Sequence, residues 1–182
     1  VPRPKEKLYV VVAQIGAVKV GLEADFPILD RLRLYVIPRD RRGDRFALDP
    51  FFTKLTGIAE EDIEREGHPL AQSLAKVREF AAGSKLWSWG KDEFNMVAIS
   101  CYVEGLTPPI AAHQFGNACN LLLKAGMPYD DMRKTPSNRL SAYYHLDGPP
   151  LRGHDALDDA LSVAYVIQHL LGNGALKATD FD

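Results

Sequence analysis

Gly153-His154-Asp155-Ala156-Leu157-Asp158-Asp159-Ala160-Leu161-Ser162-Val163-Ala164-Tyr165-Val166-Ile167 sets a histidine and three aspartates directly into an apolar run at helical spacing. Leu157, Leu161, Ala164, Ile167 and Leu171 step by three or four, which puts them on one helix face. Asp155 suits the cap or first turn, where free amides and the helix dipole favour a carboxylate. His154 stands just ahead of the expected helix and Asp159 in its second turn, so both can lean toward one cleft. A carboxylate on a rigid helix beside a loop histidine suits a metal site with a general base. Read alone, the stretch describes equally well a capped surface helix with solvated acids.

Outward from it, Leu146 to Gly153 is a Gly/Pro-rich approach that carries Arg152 and can move His154. Leu86-Trp87-Ser88-Trp89 reads as a strand, and from Phe94 the pattern is helical through Val103. Asp92 and Glu93 therefore lie where a strand's carboxyl end passes to a helix, the place where α/β sheets put their sites. A helix cap and first-turn acid is the plainer reading of that pair. Trp87 and Trp89 alternate; one is expected in the core, the other as a base-stacking platform.

The chain starts with a β-branched run, Leu8 to Val12, expected as a buried strand. Gln14-Ile15-Gly16-Ala17-Val18-Lys19-Val20 reads as a second strand, yet no turn residue separates it from Val12. A hairpin needs at least a two-residue loop. Either one long bent strand runs through Ala13, or a connecting loop belongs between Ala13 and Gln14. A third strand fits Leu29 to Ile37, followed by the charged loop Arg39 to Arg45. Helices are expected over Phe51 to Leu55, Glu60 to Glu66, Pro69 to Ala82, Ala118 to Ala125 and Asn138 to Tyr144.

The 182 residues suggest a single domain, 1–182, with 46% hydrophobic and 25% charged residues, ordinary globular values. A formal charge of −2 provides no overall attraction to a polyanion, so nucleic-acid contact would need local basic groups. Cys101 and Cys119 lack metal-ligand spacing and read as reduced thiols of a cytoplasmic protein. No apolar run approaches the roughly 18 residues of a membrane span. His68, His113, His145 and His169 show no i, i+4 pairing and read as surface or core residues.

Taken together, these segments resemble the DnaQ-like DEDDh 3′–5′ exonucleases, which have an RNase H-like fold. Gln14 to Val20 is similar to that family's second strand, and Leu55-Thr56-Gly57-Ile58 resembles its substrate-side turn. Ser88-Trp89-Gly90-Lys91-Asp92-Glu93 is similar to the second motif, particularly in the branch acting on RNA ends. His154 to Ala160 resembles the third motif, His-x4-Asp. The resemblance implies an α/β fold, a mixed sheet of about five strands flanked by helices. It also implies a two-metal site for Mg²⁺ or Mn²⁺, ions that take oxygen ligands. His154 would be the catalytic base and Asp159 a metal ligand, with Asp92 first and Glu93 second as the other carboxylate. Trp89, Thr56, Gly57 and Ile58 would meet nucleic acid, and the partner would be a single-stranded 3′ end; a homodimer is left open and a membrane is not expected.

One motif departs. No Asp-x-Glu follows the first strand: Ala13 stands where the first aspartate belongs, and Gln14 follows at once. Two functions therefore compete: a metal-dependent 3′–5′ exonuclease, and a catalytically silent module on the same fold that binds nucleic acid or a protein.

Overall fold

In the computed structural model, which describes residues 12–182, Gln14–Val20 (β1) and Ile28–Val36 (β2) pair antiparallel, with Ile15 opposite Leu34. The pairing runs past the end of β1, because the Val36 N–H donates to the Ala13 carbonyl at 2.9 Å. Ala13 is a bend, so within the described residues the chain continues through the Ala13–Gln14 junction as a kinked extension of β1. Gly67–His68 (β3) adds to β2 in parallel. Leu86–Ser88 (β4) and Phe115–Asn117 (β5) form a separate parallel pair.

The helices start and stop where local chemistry dictates. Asp49 caps Pro50–Thr56 (α1) by accepting from the Phe51 N–H, and proline fills its first turn. Glu60–Glu66 (α2) carries three acids in its first turn. Leu70–Ala81 (α3) buries Leu70, Leu74 and Val77, the face expected from their spacing. Asp92–Glu104 (α4) begins two residues before the apolar pattern does. Ala118–Lys124 (α5), Tyr129–Lys134 (α6) and Leu140–Tyr143 (α7) are short, and Ala156–Gly172 (α8) is the longest.

The largest cluster of buried side chains packs Val166, Ile167 and Leu170 of α8 against Leu121 and Leu122 of α5 and Leu140 of α7. Two smaller clusters lie between the sheet and α3, one built on Val36, Leu70 and Leu74, the other on Leu34, Val77 and Ile110. Ile15 of β1 packs against both.

The first turn of α8 rides directly on β1. A Cβ on Gly16 would stand 2.2 Å from Ala156 C and from Leu157 N, so only hydrogen fits between strand and helix. Beside this contact the Gln14 side chain takes both roles of its amide. Its Oε1 accepts from the Ala156 N–H at 3.0 Å and its Nε2 donates to Asp155 Oδ2 at 3.3 Å. From β2, Arg33 Nη2 donates to Asp155 Oδ1 at 2.8 Å.

The α/β class expected from sequence holds. The described strands form sheets of three and two, rather than one sheet of about five. Among the described residues β4 and β5, three residues each, pair with each other, and no ladder joins them to β1. The expected strand Leu8 to Val12 lies outside the described residues except for Val12, which is buried and donates to Ser100 Oγ at 3.0 Å. The expected helix over Asn138 to Tyr144 is a 3-10 turn, Ser137–Arg139, leading into α7. Among the described residues no helix is long and apolar enough to cross a membrane.

Gly16→Ala tests the strand–helix contact. The new methyl must push α8 off β1, and we expect a loss of about 3 kcal/mol in urea unfolding, at the upper end for overpacking by a small group.

Candidate active site

The three aspartates at the start of α8 have separate tasks. Asp155 is the cap: its Oδ1 accepts from the Asp158 N–H at 3.0 Å and from Arg33, and its Oδ2 from Gln14. Burial pushes its pKa up, but Arg33, the Asp158 amide and Gln14 outweigh this and hold it below the ordinary value. Asp158 reaches back along the chain, where its Oδ2 accepts from the Arg152 N–H at 2.8 Å. Asp159 remains. Its Oδ1 accepts from the His154 N–H at 3.2 Å, and the rest of its carboxylate is half-buried.

His154 is exposed and has a φ of 64°, in the left-handed region that side chains other than glycine rarely enter. The Arg152 and His154 amides both bond to α8 carboxylates, so this conformation is held from two sides. Strain of this kind is retained where surrounding contacts over-determine it, commonly at sites that do chemistry.

Burial raises the pKa of Asp159, against the opposing pull of the His154 amide and ring. Glu93, in the first turn of α4, is raised too, by desolvation first and then by the charges of Asp92 and Asp159. Glu93 is exposed, yet the protein around it removes enough water to disfavour the charge. The structure thus brings Glu93 within electrostatic reach of Asp159. Asp92, ranked ahead of it from sequence, is the exposed first residue of α4.

The Thr56-Gly57-Ile58 turn closes α1. Thr56 Oγ1 accepts from the Ile58 N–H at 3.1 Å and donates to the Phe52 carbonyl at 2.8 Å, while Ile58 is buried. Gly57 has φ 76° and lies under the Arg152 guanidinium, so this turn abuts the His154 loop. Trp89 sits elsewhere: its Nε1–H donates to the Thr135 carbonyl at 2.8 Å. Both Trp87 and Trp89 pack against the α8 cluster, so a base stacked on Trp89 would meet only the ring surface that the core leaves uncovered.

Sequence reasoning missed Gln14 and Arg33 as the clamp on α8. Their partner Asp155 lies 141 and 122 residues away, and no local pattern marks such a pairing. Arg152 was visible as a loop residue, but not its seat on Gly57.

Carboxylate oxygens are the donors that Mg²⁺ or Mn²⁺ prefers, and Asp159 and Glu93 are the carboxylates that would supply them here. A pair of ions does not fit the described residues, which hold no group of three or more His, Cys, Asp or Glu side chains suited to a metal. The positions of the first motif are Ala13, which is buried, and Gln14, whose amide is turned to the α8 terminus.

The raised carboxyls have a measurable sign. A carboxyl with its folded-state pKa above its unfolded value destabilises the fold wherever it is charged. That penalty is complete above the raised value and disappears as pH falls through it. Asp159→Asn, which keeps the acceptor for the His154 N–H, should therefore raise the urea midpoint near pH 7, with the gain shrinking toward about pH 4. His154→Gly should also stabilise the fold, by about 1 kcal/mol, because glycine adopts the left-handed region without cost.

No family model and no curated protein sequence matches the chain. Solved structures do. The nuclease domain of 3′hExo, a DEDDh family member bound to rAMP, is similar at a TM-score of 0.60 and 20% identity, over 92% of this chain and 96% of that one. Cell-death related nuclease 4 gives 0.61 and 14%, over 89% of this chain and 64% of that one. The zinc-bound E. coli ExoI–ssDNA complex gives 0.55 and 14%, over 88% and 40%. The chain therefore has the fold of the DnaQ-like DEDDh exonuclease domains.

Proposed function

We propose that this protein removes nucleotides from the 3′ ends of single-stranded DNA or RNA, in a hydrolysis that depends on Mg²⁺ or Mn²⁺. The observation that carries this reading is the join of His154 to Asp159 through the 3.2 Å amide–carboxylate bond, with Glu93 near enough to respond to the Asp159 charge. When bound by Asp159 and Glu93, a divalent ion would supply positive charge for the phosphoryl oxygens and acidify a water. The exposed His154 imidazole takes the proton from the attacking water. The water oxygen bonds to phosphorus, the 3′ oxygen of the preceding nucleotide departs, and a nucleoside 5′-monophosphate is released. Asp159 has a second task here, since it holds the loop that presents the imidazole.

One observation favours the alternative, a silent module that binds nucleic acid or a protein partner: Gln14 is hydrogen-bonded to α8 where the family's first acids would begin. Both readings meet one assay. A 5′-labelled single-stranded oligonucleotide incubated with Mg²⁺ or Mn²⁺ should shorten stepwise from its 3′ end, and a chelator should stop it. His154→Ala should slow the shortening by roughly 10²–10⁴-fold, the usual contribution of a general base. Salt-sensitive binding without shortening at stoichiometric protein would instead establish the silent module.

A further inference from the structure

The carboxylates around His154 pose a problem for a phosphodiester strand. Asp92, Glu93, Asp158 and Asp159 cluster at the starts of α4 and α8, and a polyanion approaching them is repelled unless cations answer it. Arg33 is engaged with Asp155 and lies 3.9 Å from Asp158, so its charge is already compensated. Arg152 differs. Among the described residues its guanidinium makes no ion pair, and only its main chain is bonded, the N–H to Asp158 and the carbonyl to the Asp155 N–H at 3.3 Å.

The guanidinium is nevertheless placed. A Cβ on Gly57 would stand 1.9 Å from Nη1, 2.2 Å from Nη2 and 2.4 Å from Cζ, so the planar group rests on the bare α-carbon of the turn. Gly57 thus meets two demands, a φ of 76° and room for the arginine above it. The backbone of Arg152 is anchored to the first turn of α8, its head lies against the end of α1, and His154 is two residues along the chain. An exposed, uncompensated fork of donors held on two elements beside the acids that open α8 matches the geometry of a phosphate, which a guanidinium binds with paired N–H groups.

From this we infer that Arg152 binds a phosphate of the nucleic-acid strand, with the Gly57 turn as its seat, and so offsets the charge of the cleft. The inference rests on the nuclease-end reading above. It assigns Arg152 to strand binding and gives the proton transfer to other groups.

The test is fluorescence anisotropy of a labelled single-stranded oligonucleotide in chelator, across a salt series, with the wild-type chain, Arg152→Ala and Arg152→Lys. Arg152→Ala should weaken binding roughly ten-fold, the scale of one charge-assisted contact, and flatten the log–log salt slope by about 0.7. Arg152→Lys should keep the slope and lose part of the affinity, because it keeps the charge without the fork. A parallel titration with a nucleoside 5′-monophosphate identifies the phosphate. An equal loss places it on the terminal nucleotide, and a loss confined to the oligonucleotide places it further along the strand. Identical affinity and slope for wild type and Arg152→Ala would overturn the inference alone, whereas a wild-type chain that binds no oligonucleotide at low salt would overturn the nucleic-acid reading as well.

Discussion

The contact between Gly16 and the opening peptide of α8 fixes where everything else in the cleft can be. Strand and helix approach so closely that backbone meets backbone, leaving no side chain to act as a spacer. A helix seated this way has little freedom to slide or rotate, and the Gln14 amide and Arg33 guanidinium remove what remains by gripping its cap. His154 and Asp159 inherit their positions from that seat. Their mutual bond determines their relation to each other, but the strand determines their relation to the rest of the molecule.

Division of labour among like residues follows from the same seat. Asp155, Asp158 and Asp159 are chemically identical, and position along the first turns of one helix separates them. The cap is stabilised as an anion by three donors, the next ties down a loop, and the third is left partly desolvated. Partial desolvation of a carboxylate raises the free energy of its charged form, so a cation finds there a ligand that gains by being neutralised. Burial raises Glu93, at the start of α4, in the same way.

Much of this was legible in the chain because it is local. The spacing of Leu157, Leu161, Ala164 and Ile167 predicts α8, and Asp155 caps it as its position implies. Thr56 and Gly57 close α1 by chemistry contained within a few residues. What was not legible depends on distance or on brevity. Tyr129–Lys134 is a helix of six residues, too short for periodicity to show. The sequence allows Asp92 and Glu93 as a cap and first-turn acid of α4, but it does not show which of them feels the charge of Asp159, since that depends on how two helices distant in the chain are placed. Strand alternation separates the two tryptophans, yet β4 stops at Ser88, and Trp89, past its end, turns into the same core as Trp87. The clamp of Gln14 on Asp155 has no signature at all, since either residue alone reads as an ordinary strand start or helix cap.

The span of that clamp bears on how the molecule is made. β1 and the cap of α8 are separated by 141 residues, and joining them closes more than three quarters of the 182-residue chain into one loop. The entropy of so large a closure must be met before either partner gains from it, which favours late formation. During synthesis at about 5–20 residues per second, the Gly16 face of β1 is expected to wait on the order of 7–28 s before α8 exists to cover it. Through that interval the face of β1 that α8 later covers is expected to stay open. A chaperone, or a neighbouring chain on the same message, has that long to meet it.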